Sequence, residues 1–410
     1  MYKTNTQTMA FKPANNIQDL QYFGEFGGVN PSISDSSTYT FLSAKTMFDT
    51  FEGNADGCYL YSRHSSPSNL YLGEAIAAME GTETANVSAS GMGAITPVLL
   101  QLCDAGDHIV SSRTIYGGTY AFLKNFTPRF NIETSFVDIT NLKTVEAAIT
   151  KNTKVLYCES VSNPLLEVAD IKGLSEIAKK HNLKLVVDNT FSPLSISPTV
   201  LGADVVIHSL TKFINGSSDT VGGVVCGTQD FINELRNVNN GASMLLGSTM
   251  DSLRAASILK NLRTLHIRMQ QHSKNGLFLA EKFEADGLKT VYPGLKSHPS
   301  HELFKSIMNE QYGFGGMLTI DVGSLEKANK LMELMQNKNL GYLAVSLGFY
   351  KTLFSAPGSS TSSEIPEDEQ KAMGLSDGLI RFSIGLDADI EHTYQVMHKC
   401  MIEIGVLKDR

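Results

Sequence analysis

The chain predicts a largely parallel, doubly covered α/β sheet followed by a smaller α+β domain. From about residue 68 to 260, short apolar runs alternate with helical patterns, and several of those runs stop at an acid or a hydroxyl. Beyond 260 the alternation gives way to long helical stretches with isolated strands between them. Strand–helix alternation implies parallel strands covered by helices on both faces, with ligand groups at the strand ends.

Taken in order, residues 1–65 contain Gly27-Gly28, Asn30-Pro31 and many Ser and Thr with little helical period. They read as an extended arm with a short helix near 43–51, and an arm without its own core packs on something else. Leu72, Ala75, Ile76 and Met79 then recur at helical spacing before Gly81, a residue suited to capping the helix. Ile171, Leu174, Ile177 and Ala178 mark a second helical face. Between the helices, β-rich runs at 107–112, 154–159, 183–188, 203–209 and 222–227 supply the strands of a domain over 66–260. A helical run at 259–283, a strand at 317–322, a helix at 325–337 and a strand at 379–385 build the domain over 261–410. The polar stretch 355–366 reads equally as a flexible linker or as a lid on the substrate side.

At 410 residues the chain fits two or three domains, and its 42% hydrophobic and 19% charged content describes a soluble globular protein. A net charge of −8, with no long block of like charges, gives no reason to expect a nucleic-acid surface. The first twenty residues hold no continuous apolar core, so neither a signal peptide nor a membrane anchor is expected, and the cytoplasm is the default location. Cys58, Cys103, Cys158, Cys226 and Cys400 are widely spaced without a CxxC pair. They read as reduced thiols, and no metal site is expected.

The chemistry concentrates at two strand ends. One apolar run stops at Asp188, and the next runs into Ser209-Leu210-Thr211-Lys212. A lysine beside two hydroxyls suits a Schiff base to pyridoxal phosphate (PLP), with the hydroxyls on the phosphate and a carboxylate for the pyridinium nitrogen. An ordinary strand followed by a solvated lysine would look the same. A P-loop also sets Lys beside Ser or Thr, but no glycine-rich Walker pattern precedes this one. Ser90-Gly91-Met92-Gly93 precedes a helical stretch beginning near Ala94, where backbone N–H groups can meet an anion. Tyr116, before Gly117 and Gly118, offers an aromatic face to a planar cofactor, although a lone loop tyrosine is often structural.

Together with Tyr61-Ser62-Arg63, Asn163-Pro164, Asp188-Asn189-Thr190, Val345-Ser346-Leu347-Gly348 and Arg381-Phe382-Ser383-Ile384-Gly385, these motifs resemble the Cys/Met-metabolism class of PLP enzymes, in order and over nearly the whole chain. That class includes methionine γ-lyases, cystathionine γ-synthases and lyases, and O-acylhomoserine sulfhydrylases. The resemblance implies an aspartate-aminotransferase-like fold (fold type I) with a mainly parallel, seven-stranded type of sheet, assembled as a homotetramer of two tight dimers. It implies that Lys212 carries the cofactor and shuttles protons, that Asp188 pairs with the ring nitrogen, and that Tyr116 stacks on the ring. Gly91, Met92, Ser209 and Thr211 would hold the phosphate, and Tyr61 and Arg63 would reach the phosphate of the neighbouring subunit. Arg381, helped by Ser346 and Asn163, would grip the substrate carboxylate. Tyr116 is the expected proton donor to a sulfur leaving group.

Within the class, Val345 stands where cystathionine-handling members typically carry Glu, and so resembles methionine γ-lyases. The run Thr119 to Leu123 also looks like the lyase pattern. Gly118 replaces the characteristic lyase cysteine, Asn239-Asn240-Gly241-Ala242 lacks a Lys-Asp pair common in methionine γ-lyases, and Ala356 and Ser362 replace two usual histidines. The expectation is α,γ-elimination on a sulfur amino acid, with γ-replacement on an O-acylhomoserine as the alternative. A non-catalytic PLP-binding protein on the same scaffold is a minor one, because a fold alone does not grant activity.

Overall fold

The computed structural model describes residues 11–20, 28–55, 57–359 and 365–408. Ser362 and part of the 355–366 stretch lie outside the described residues. Seven strands form the larger sheet: β1 (Thr84–Ser88), β2 (His108–Ser112), β3 (Glu133–Val137), β4 (Thr153–Glu159), β5 (Lys184–Asp188), β6 (Val205–Ser209) and β7 (Gly223–Gly227). Their order is β1-β7-β6-β5-β4-β2-β3. The run from β6 to β3 is parallel. β7 is antiparallel to both of its neighbours, which departs from the repeated strand–helix pattern. The reason is local: the segment between β6 and β7 turns back through Lys212 without a covering helix, so the chain re-enters the sheet in the opposite direction.

Side chains alternate across this sheet. Leu185 and Val187 of β5, Val206 of β6, and Val224 and Cys226 of β7 join one apolar core with Leu72, Ile76, Ile171 and Leu174. Val186, Val205, Ile207 and Val225 join the core on the opposite face with Ala94, Ile95, Val98 and Leu99. Period-two burial on both faces is what a doubly covered sheet requires. The helix Pro67–Glu80 ends as its sequence predicts, at Gly81 with φ 73°, whose N–H reaches Ala77 O.

The second sheet is built from β8 (Lys289–Val291), β9 (Met317–Asp321), β10 (Tyr342–Leu343), β11 (Leu353–Ser355) and β12 (Leu379–Ser383), in the order β10-β11-β12-β9-β8. It packs its own apolar core with the helices Leu325–Asn337 and Ile390–Glu403. The helical run at 259–283 proves to be the end of one helix, Ser252–Leu262, and most of another, Leu265–Ala285, separated at Arg263 and Thr264. Among the described residues no helix is long and apolar enough to cross a membrane.

Candidate active site

The parallel strands present their C-terminal ends together. Glu159 and Asp188 are partners in register at the ends of β4 and β5, and Ser209 ends β6. Ser88 and Ser209 both pair with Gly223, which brings the segment after β1 to the same edge. A cavity of about 290 Å³ opens there, lined by Gly91, Met92, Tyr116, Asn163, Asp188, Ser209, Thr211, Lys212 and Arg381 among others. Sequence reasoning placed all nine in the site, and the fold brings them to one cavity.

Beyond β6 the chain turns, with Lys212 N–H donating to Ser209 O at 3.3 Å. Lys212 Nζ donates to Ser346 Oγ at 3.1 Å, which ties Ser346 to the group. Burial, reinforced by the positive charge of Arg381, draws the Lys212 ammonium down to about 8. Asp188 accepts the N–H and the hydroxyl of Thr190. Burial raises its pKa, while the Thr190 bonds and His208 oppose the rise.

The helix expected near Ala94 starts earlier, at Gly91, because Ser90 caps it by accepting the Gly93 N–H at 2.9 Å. Gly91 and Met92 therefore lie in the first turn, where amide N–H groups have no acceptor within the helix and the dipole is positive. A Cβ on Gly91 would come within 2.9 Å of Ser209 Cβ, so glycine lets this turn settle onto the end of β6. Ser209 N–H donates to Thr190 Oγ1 at 2.8 Å. The Thr211 hydroxyl lies between the N–H and C=O of Gly222, at 3.0 and 3.2 Å.

Elsewhere in the cavity wall, Arg381 is 2% exposed and donates to Asn163 Oδ1 at 2.8 Å. Its other terminal nitrogen reaches Val345 O at 3.4 Å. Val345 also lines the cavity and is 61% exposed. Ala356 is instead buried in the core of the second sheet. Tyr61 and Arg63 are not among the residues lining this cavity. Arg63 donates to Met244 O at 3.1 Å, with its guanidinium 5.8 Å from the Tyr61 ring centre.

Sequence reasoning missed Glu159. It lines the cavity at 7% exposure and accepts the N–H of Tyr116 at 2.7 Å and of Asn163 at 2.8 Å. Burial and then the Asp188 charge push its pKa up, against those two N–H bonds and Arg381. The available signal was an apolar run ending in an acid, parallel to another that ends in Asp188.

These residues fit PLP. A buried lysine and a buried carboxylate line one cavity, next to a glycine-tight helix start that offers free amides to a phosphate. The class is therefore a PLP enzyme on an α/β scaffold. The chain belongs to the Cys/Met metabolism PLP-dependent enzyme family, whose model matches residues 14–397. It is 46% identical over 399 residues to the methionine gamma-lyase of Arabidopsis thaliana, covering 96% of this chain and 90% of that protein. It is 39% identical over 378 residues to the L-methionine gamma-lyase of Porphyromonas gingivalis, covering 90% and 92%. Among solved structures, an O-acetylhomoserine (thiol)-lyase from Campylobacter jejuni bearing N′-pyridoxyl-lysine-5′-monophosphate superposes with a TM-score of 0.88 at 29% identity, covering 95% of this chain and all of that one. The fold is thus the aspartate-aminotransferase-like fold type I, and the protein is a PLP-dependent enzyme of sulfur amino-acid metabolism.

Proposed function

We propose that the enzyme carries out α,γ-elimination on methionine or a close thioether, adding water overall and giving a thiol, 2-oxobutanoate and ammonia. The observation that carries this reading is the cavity's division of polarity. Among the described residues its only charged lining residues are Glu159, Asp188, Lys212 and Arg381, and the rest of the wall includes Ile95, Phe191, Val221, Val345 and Leu347. Such a site suits an α-amino acid with an apolar tail: Glu159 is held by the N–H groups of Tyr116 and Asn163, and Asp188 by Thr190 and, on this reading, the cofactor ring, so neither carboxylate is left for a distal ammonium. The likeness to two methionine gamma-lyases supports the same reading.

PLP, when bound, supplies the electron sink that lets protons leave Cα and Cβ. Asp188, on this reading, keeps the ring nitrogen protonated. Arg381 and Asn163 hold the substrate carboxylate, and Ser346 holds Lys212 near Cα. Lys212, with its proton affinity lowered to about 8, takes and returns protons close to neutral pH. Tyr116 protonates the departing sulfur. Tyr61 and Arg63 serve the phosphate of a neighbouring subunit in a homotetramer, which accords with their position outside the cavity of their own chain. The cytoplasmic placement rests on five free cysteines, four of them buried.

The test is incubation with methionine, homocysteine, cystathionine, and O-acetylhomoserine plus sulfide, scoring 2-oxobutanoate, ammonia and new thioether. Methionine or homocysteine should give kcat/KM above cystathionine. Val345→Glu should shift that ratio toward cystathionine by roughly tenfold to a hundredfold, the value of about 1.5–3 kcal/mol from one charge-assisted contact. A wild type that prefers cystathionine overturns the apolar-pocket reading. One that consumes only O-acetylhomoserine with sulfide is a sulfhydrylase, the outcome that Gly118 favours.

A further inference from the structure

We propose that Glu159 is a positioning residue that holds the two walls of the substrate site in register. Its carboxylate is shared between the backbone of Tyr116 on one side and that of Asn163 on the other. The inference rests on the roles proposed above for Tyr116, Asn163 and Arg381.

The argument starts from cost. Glu159 ends β4 beside Asp188, its register partner on β5, so two carboxylates are buried side by side at the C-terminal ends of two central strands. Two like charges withdrawn from water destabilise the fold unless each is compensated. Asp188 has the N–H and hydroxyl of Thr190 and, on the reading above, the cofactor ring. Glu159 has no role in that reading, yet both of its oxygens are engaged. Oε1 accepts from Tyr116 at 2.7 Å and Oε2 from Asn163 at 2.8 Å.

Both donors are backbone groups that secondary structure does not fix. Tyr116 stands at the N-cap of the helix Gly117–Ala121 with non-helical φ −51° and ψ 131°, outside the helical ladder. Asn163 follows β4 in a loop and enters a cis bond to Pro164. Asn163 Oδ1 in turn accepts from Arg381 at 2.8 Å. A continuous path therefore runs from Tyr116 through Glu159 and Asn163 to Arg381. One rigid fork at the end of a central strand sets the distance between the ring-stacking side chain and the guanidinium that grips the substrate. Misplacement by about 1 Å at such a site can cost roughly a hundredfold in rate.

Glu159→Gln tests this directly. The amide keeps the size of the side chain but offers one oxygen and one NH2, so one of the two N–H donors loses its acceptor. In the holoenzyme the variant should still fold and bind PLP. Its visible-region circular dichroism should fall, because Tyr116 no longer packs squarely on the cofactor. Its dissociation constant for norleucine, which has the α-carboxylate but no γ leaving group, should rise by about tenfold, the value of roughly one hydrogen bond to a charged group. Glu159→Asp keeps the carboxyl group but is one methylene shorter, and should weaken norleucine in the same way.

A folded Glu159→Gln protein whose norleucine affinity and circular dichroism stay within about twofold of wild type overturns the proposal, since tenfold is the expected loss. If neither variant folds, amide hydrogen exchange in the wild type decides. Tyr116 and Asn163 amides as protected as those of β5 support the assignment, and exchange at exposed-loop rates refutes it. Neither measurement depends on turnover. A wild type that releases no 2-oxobutanoate therefore defeats the elimination reading without deciding Glu159.

Discussion

Replacing Lys212 with Met in the cofactor-free protein isolates what it costs to bury an ammonium at the end of β6. Burial, with Arg381 adding repulsion, holds this group at about 8 against 10.5 for an unperturbed lysine. The gap corresponds to about 3 kcal/mol against the folded state at neutral pH. Methionine has similar length and no charge, so Lys212→Met removes that cost and forfeits the bond to Ser346, which offsets about 1 kcal/mol. The variant should be more stable than wild type by about 2 kcal/mol. The sign of the pH dependence follows from proton counts. Between about pH 8 and pH 10.5 the unfolded chain keeps a proton that the folded one has lost, so wild-type stability rises with pH across that window. The advantage of the variant is therefore full below about pH 8 and shrinks above it. The chain has no tryptophan, so urea unfolding is followed by far-ultraviolet circular dichroism, at matched protein concentration because assembly shifts apparent stability. A Met variant less stable than wild type near neutral pH, or one whose advantage grows toward higher pH, refutes the reasoning.

Two glycines make further predictions. Gly348 sits at φ +78°, and a Cβ there would lie 2.4 Å from Phe213 N and 2.8 Å from Lys212 C. Gly348→Ala should cost about 3 kcal/mol in urea titrations from left-handed strain plus overpacking, and should loosen cofactor retention by displacing Lys212; an unchanged unfolding midpoint contradicts this. At Gly118 the Cβ would lie 2.6 Å from Tyr116 Cε1, the edge of a half-exposed ring that can move. Gly118→Ala should thus leave stability within about 1 kcal/mol yet lower kcat/KM by about tenfold or more through the displaced ring. A variant that loses stability but keeps full kcat/KM would falsify that account.

What could be read from the chain was chemistry that is local along it. Asp188, Ser209, Thr211 and Lys212 announce themselves because each ends or follows an apolar run whose length and β-branching mark a strand. In a parallel sheet such ends must converge. The strands β1 and β3 were harder to see: Thr84–Ser88 carries only Ala85 and Val87 as apolar residues, and Glu133–Val137 is an edge strand with mostly half-buried positions. The break at Arg263 and Thr264 was hidden because both flanking helices bury apolar faces and no Gly or Pro marks the join.

Glu159 shows where reading along the chain reaches its end. By sequence it is one acid closing a strand, no different from any solvated residue at a strand exit. Its meaning comes from three relations that cross the chain: register with Asp188, a bond to Tyr116 on the segment after β2, and a bond to Asn163 that leads to Arg381 on β12. Strand order decides the first two, since β4 lies between β2 and β5 in space, and the third comes from the second sheet, whose β12 carries Arg381. A motif tells which atoms can react. The register of the sheet decides which buried side chain holds them apart, and here one carboxyl group spans the interval between Tyr116 and the Asn163–Arg381 pair.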